Sequence, residues 1–172
     1  MKQILTAVCC LAFCSVSALA QKKPMSDQQF VDLAAQTDMV EANLGQLAGT
    51  VASSQSVKDY AQTLVTDHAN DYHQLYDAAH KANLTVPDAI DAENNKSMID
   101  PFQKLKGAAF DRRYVQDMVA GHTKVLAIYK KEAADAQDPA LKSYAEGALP
   151  VLEAHLAAAK ELQKGKASAK SN

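Results

Sequence analysis

The stretch that decides the fold is Ser26 to Ala52, SDQQFVDLAAQTDMVEANLGQLAGTVA. Phe30, Leu33, Thr37, Val40, Leu44, Leu47 and Val51 recur at steps of three and four, the apolar stripe of a bundle helix. Ser26 and Gln29 have the spacing of a capping box, which starts the helix there. Glu41 sits at the edge of that stripe, between the small residues Ala34 and Ala48.

Three more long helices follow. Ser53 to Ser56 form a short polar break, and Ser56 with Asp59 is expected to cap a second helix running to about Asn83. So short a connection makes the two helices antiparallel neighbours. Leu84 to Asp100 is a long interruption marked by Pro87, the polar run Asp91 to Lys96 and the Asp100-Pro101 pair, with a short helix expected over Phe102 to Lys106 before Gly107. At roughly 3.3 Å per extended residue, this connection can cross a whole bundle. A third long helix is predicted from Ala108 to about Ala136, and Asp138-Pro139 is the N-cap and first-turn proline of a fourth that ends near Lys164. Pro150 interrupts that last helix and predicts a kink one turn before His155. No segment alternates as a strand does. The chain therefore reads as all-α, a four-helix bundle with its long connection between helices 2 and 3, which is the ferritin-like arrangement.

The ends read differently. Lys2, the apolar run Ile4 to Phe13 and the small-x-small site Ala18-Leu19-Ala20 make residues 1–20 a cleavable export signal, too short to span a bilayer permanently. The protein is then expected in the periplasm or secreted. Residues 21–26 read as a linker, 27–164 as one bundle domain, and 165–172 as a small, basic, disordered tail. The cysteines Cys9, Cys10 and Cys14 all fall in the leader, so the mature chain has no disulfide and no thiolate ligand. Bulky Phe13 argues against lipidation of Cys14. Of 18 basic residues the leader removes one, leaving 17 against 20 acidic, a balance that gives no case for nucleic acid.

What chemistry remains rests on histidine and carboxylate. His68 is in step with Val57, Ala61, Leu64, Leu75 and Ala82; His122 with Met118, Val125 and Tyr129; His155 with Ala148, Leu152, Ala159 and Leu162. All three point into the core, where an imidazole needs a hydrogen-bond partner or a metal. His73 and His80 have mostly polar neighbours and read as surface residues. The expected helix midpoints lie near residues 40, 69, 122 and 151, so Glu41, His68 and His122 fall within about one turn of mid-height and His155 about 6 Å from it. Groups near the middle meet whichever way each helix runs. One acid and three imidazoles suit a single divalent zinc, copper, nickel or iron ion. The competing reading is a structural polar network of the same histidines with Glu41, Tyr72 and Tyr129.

Di-iron chemistry is disfavoured, because the residues three before His68, His122 and His155 are Val65, Val119 and Leu152 rather than glutamate. Asp111 shares a face with His122 but lies about 16 Å away, and is expected with Tyr114 at one end of the bundle. No nucleophile, phosphate-loop or metalloprotease motif is present.

Glu41-Ala42-Asn43-Leu44-Gly45-Gln46-Leu47-Ala48, Val65-Thr66-Asp67-His68, Gly107-Ala108-Ala109-Phe110-Asp111-Arg112-Arg113-Tyr114 with His122, and Leu149-Pro150 with His155 together resemble the domain-of-unknown-function family 4142 over roughly residues 27–163. That resemblance implies an exported bacterial ferritin-like bundle, with some members labelled outer-membrane proteins, and hence envelope or outer-membrane association. It implies no activity. Two function classes follow from residues and resemblance together: a non-catalytic exported bundle acting in the cell envelope or in stress tolerance, and a binder of one divalent metal for storage, buffering or a simple redox task.

Export should leave Gln21 as the new N-terminus. Intact mass of the protein from an envelope fraction checks this, and a species retaining Cys14 with added lipid mass would contradict it.

Overall fold

The computed structural model describes residues 25–168, with side chains described to residue 165. The expected leader, residues 1–20, lies outside the described residues, as do the last four residues of the expected tail. The elements are α1 (Asp27–Val51), α2 (Gln55–Lys81), α3 (Ala92–Asn94), a π-turn (Asn95–Ile99) and a 3-10 turn (Asp100–Phe102), α4 (Gly107–Asp135) and α5 (Pro139–Ser168). No strand occurs among the described residues, and no described helix is long and apolar enough to cross a membrane. The hairpin α1–α2 packs on the hairpin α4–α5, with α2 lying against α5 and α1 more lightly against α4. This is the four-helix bundle that the periodicity predicts, with the long connection between its second and third long helices.

Two helix starts follow their local chemistry. Gln29 N–H donates to the Ser26 hydroxyl at 3.3 Å while Ser26 N–H donates back to Gln29 Oε1 at 3.0 Å, the expected capping box. Asp138 Oδ1 accepts from the N–H groups of Ala140 at 2.8 Å and Leu141 at 3.4 Å, and Pro139 opens α5.

The start of α2 differs from expectation. Its N-cap is Ser54, whose hydroxyl makes no capping bond, and Asp59 accepts instead from the Gln55 amide at 2.8 Å. The cap comes from another helix. Asp111 of α4 accepts from Ser53 N–H at 3.1 Å, Ser54 N–H at 3.0 Å and the Ser53 hydroxyl at 2.7 Å, and is itself buried. A carboxylate at a helix N-terminus satisfies orphan donors and meets the favourable end of the dipole, so it displaces a local hydroxyl.

The connection between α2 and α4 also differs. Its helical turns occupy residues 92–102, where Asp91 caps Asn94 N–H at 2.7 Å, rather than Phe102 to Lys106. The connection is fastened along its length: Gln28 donates to Thr85 O, Tyr72 to Pro87 O and Gln36 to Ala89 O, while Ile99 and Phe102 bury their side chains. At the other end, α5 passes through Pro150 and runs to Ser168, four residues beyond the predicted stop at Lys164. Gly165 continues the helix rather than ending it.

The core is in two parts. One cluster gathers Phe30, Leu75, Tyr129, Leu141 and Leu152; the other gathers Leu44, Leu64, Phe102, Phe110, Tyr114 and Met118. On every long helix a buried polar residue falls between the two: Asp38 on α1, His68 on α2, His122 on α4 and His155 on α5.

Gly45 sets how closely α1 and α2 approach near this layer. A Cβ there would lie 2.7 Å from Val65 Cγ2 and 2.9 Å from Ala61 O, so a larger residue would push the helices apart. Gly45 is one turn from Glu41, and Val65 is three residues before His68, so the contact brings those two side chains together. Gly45→Ala gains about 1 kcal/mol of helix propensity but should lose roughly 1–3 kcal/mol to overpacking. The expected outcome is a lower Tm by thermal circular dichroism; an unchanged or raised Tm would contradict the close approach.

Candidate metal centre

The mid-height layer holds a group of donors facing one another. His68 Nε2, His122 Nε2 and His155 Nδ1 belong to three buried histidines whose ligand atoms all lie within 4.8 Å of one another. Glu41 Oε2 lies 3.1 Å from His68 Nε2 and 3.5 Å from His122 Nε2, and His122 Nε2 is 3.3 Å from His155 Nδ1. All four residues identified in the sequence thus meet. His73 and His80 are exposed, as their polar neighbours predict.

Each imidazole is held by its other nitrogen. His68 Nδ1 donates to Asp38 Oδ1 at 2.8 Å, His155 Nε2 to Asp67 Oδ2 at 2.8 Å, and His122 Nδ1 to Met118 O at 3.0 Å. A backbone carbonyl only accepts, so His122 Nδ1 must carry hydrogen and its Nε2 presents a lone pair when the ring is neutral. The same logic at His155 aims a second lone pair at His122 across 3.3 Å. With both rings neutral these two atoms would meet as lone pairs, so the 3.3 Å contact calls for a proton on one ring or for a bound cation. Consistent with this, Glu41 Oε2 and His68 Nε2 are both buried and lack an aligned hydrogen-bond partner despite their 3.1 Å approach.

The charges adjust around this demand. Burial alone drives the His68 pKa down, but the Glu41 carboxylate and the Asp38 hydrogen bond outweigh it, and the pKa is pushed up to about 10. Burial pushes Glu41 up, yet His68, His122 and His155 together hold it below the ordinary value. Asp38 is pushed up to about 7, because burial exceeds what the His68 bond returns. Burial lowers His155, and the Asp67 bond only partly opposes it. The Glu41 carboxylate thus favours a proton on His68.

The donor spacing fits a metal. Bonds of about 2.0–2.1 Å in a tetrahedral site place ligand atoms roughly 3.3–3.4 Å apart. The separations of 3.1, 3.3 and 3.5 Å match, and the widest imidazole pair, at no more than 4.8 Å, has to close by at most ~1.5 Å.

Neither tyrosine expected in a network with Glu41 bonds it directly, but Tyr129 joins the layer through Asp71, which also bonds Asp38. Tyr72 donates to Pro87 O at 2.7 Å, and Tyr129 bonds Tyr144 at 3.0 Å, which in turn donates to Asp71 at 2.7 Å. Tyr114 stacks on Phe110, with ring centroids 5.5 Å apart, in the same end of the bundle as Asp111, and its hydroxyl is buried without a hydrogen-bond partner among the described residues. The sequence reading missed Asp38 and Asp67. Asp38 stands three residues before Glu41 on the same face of α1, a signal that could have found it; Asp67 is merely adjacent to His68 and gives none.

The matching family model, described as Domain of unknown function (DUF4142), covers residues 14–162. The chain belongs to that family. No curated protein matches it. Among solved structures it is similar to CopM in the Cu(II)-bound form, with a TM-score of 0.68 at 14% identity over 83% of this chain and 99% of the other. It is likewise similar to CopM in the Ag-bound and Cu(I)-bound forms, each with a TM-score of 0.63 at 14% identity over 83% of this chain and 98% of the other. At that identity the likeness establishes a shared fold.

The raised pKa of His68 has a consequence for stability. The folded protein binds this proton more tightly than the unfolded chain, so the stabilisation is complete below the ordinary value of 6.5 and is lost as pH rises through about 10. Asp38, raised from 3.8 to about 7, acts with the same sign at lower pH. The Tm of the chelator-treated protein should fall between pH 6.5 and 10, and a Tm that rises across this window would contradict the charged His68.

Proposed function

We propose that this protein binds one divalent transition-metal ion through Glu41, His68, His122 and His155, and that it holds the ion rather than using it in catalysis. One observation carries the reading: the outer nitrogens of all three histidines are anchored by acceptors, which turns their inner nitrogens and Glu41 Oε2 toward one buried point.

Four donors from four helices close around the centre, each residue no more than 6% exposed. Catalytic metal sites keep an open position, whereas closed four-donor sites hold their ion. Storage or buffering therefore fits better than turnover. Nitrogen and carboxylate oxygen are borderline donors, which favour Cu(II), Zn(II), Ni(II) or Fe(II), and Cu(II) binds tightest in the general order for such ligands. The copper-bound structures of a protein with this fold make Cu(II) the first ion to test. The export signal expected at residues 1–20 and the family resemblance suggest the periplasm or cell envelope as the place of work.

Calorimetric titration of the untagged mature protein should give one Cu(II) per chain. His68→Ala and His122→Ala should each abolish that binding, whereas His73→Ala, on the exposed face, should keep it. Because binding displaces the His68 proton, affinity should weaken on the order of tenfold for each pH unit lowered near neutrality. Equal binding by wild type and the His68→Ala/His122→Ala double mutant would return the layer to a structural role.

A further inference from the structure

We infer that the ion enters and leaves through the cleft between α2 and α5, with Asp67 and Asp71 receiving it at the rim and His155 passing it inward. This rests on the metal-binding reading of the centre. A cavity of about 250 Å³ lies in that cleft, walled by Asp67, Asp71 and His68 of α2 and by Gly147, Leu152 and His155 of α5. Its lining includes two of the four residues that carry the inward donors.

Burial deepens stepwise along this wall. The Asp67 side chain is 35% exposed, that of His155 is 5% exposed and that of His68 is 2% exposed, and the first two are joined by their 2.8 Å bond. Carboxylate oxygen at the rim gives way to imidazole nitrogen at the bottom, an order in which each donor set holds a borderline cation more tightly than the last. The negative rim also raises the local concentration of cations and hence the rate of entry.

Two other approaches are less suited. Between α1 and α2 the contact at Gly45 leaves no room even for a methyl group. A larger groove of about 1420 Å³ touches Asp67 and His155 from their far side, but Tyr60, Val115, Pro150 and Ala158 give it a mainly apolar wall, and it does not reach His68. The small cleft is open where it is because α5 presents Gly147 there. Gly147 lines the cleft, and a Cβ there would meet nothing within 4 Å, so larger side chains can be placed at its edge without a clash at their first atom.

Gly147 therefore offers a plug that touches neither the ligands nor their anchors. The mature protein and the series Gly147→Ala, Gly147→Leu and Gly147→Phe would be mixed with Cu(II) in stopped flow, and the loaded proteins then with EDTA. Loading and extraction should both slow as the side chain grows, by about tenfold or more for phenylalanine, with Kd unchanged. Ala158→Phe, in the larger groove, should load and unload at wild-type rates. Wild-type rates throughout the Gly147 series, or slowing by Ala158→Phe instead, would overturn the route while leaving the metal site intact. A wild-type protein that takes up no Cu(II) would remove the metal reading itself, and the route with it.

Discussion

The structure depends on balancing charge in one buried layer. Asp38, Glu41, His68, His122 and His155 lie buried between two apolar clusters. An unpaired charge there would be strongly destabilising, so each group must find its complement within the layer. Asp38, Asp67 and the Met118 carbonyl take the outer nitrogens, which fixes every ring in orientation and leaves the inner atoms to be satisfied together. The centre is thus rigid before anything binds. A proton on His68 meets its demand in one state, and the proposed ion would meet it in another.

That rigidity has a structural source some distance away. Gly45 lets α1 settle on α2 one turn from Glu41, and Asp111 ties the start of α2 to α4 through Ser53 and Ser54. The two hairpins are therefore locked at the α1–α2 turn, near the second apolar cluster. The buried anchors Ile99 and Phe102 hold the long connection against that same cluster. Helix positions set by small residues and buried carboxylates are less forgiving than those set by aliphatic packing, because such contacts have few alternative geometries.

How much of this the sequence discloses follows from the kind of contact. The stripe from Phe30 to Val51 and the box at Ser26 are local patterns, and each fixes an element without knowledge of the rest. The histidines were legible because an imidazole in an apolar register is conspicuous, and their depth followed from counting residues at 1.5 Å per step. Glu41 needed both register and depth. Asp38 shares Glu41's face yet reads as an ordinary polar interruption, and Asp67 looks like the solvent-facing neighbour of His68. Asp111 reads as an end-of-bundle residue and is one, but its backbone partners lie 57 and 58 residues earlier and leave no mark in the spacing. The cap of α2 and the path of the connection were invisible because they are decided across the bundle, where sequence spacing carries no information.

The polar layer also bears on why such a sequence exists. Replacing a buried charged group and its partners by well-packed aliphatic side chains of similar volume is often neutral or stabilising. A continuous apolar core joining the two clusters would therefore make at least as stable a bundle, and the alanine-rich helices already supply the propensity to form it. Fixing helix register could be achieved with one polar residue, as a single buried asparagine does in coiled coils. Here each of four helices contributes at least one ionisable group, with the three imidazoles pointing their free nitrogens at the same place. Stability does not require that arrangement and register does not require so much of it. The proposed ion would give the surplus of inward donors a purpose, which is why the chemistry of the centre, rather than the helical frame around it, is the part of this protein to test.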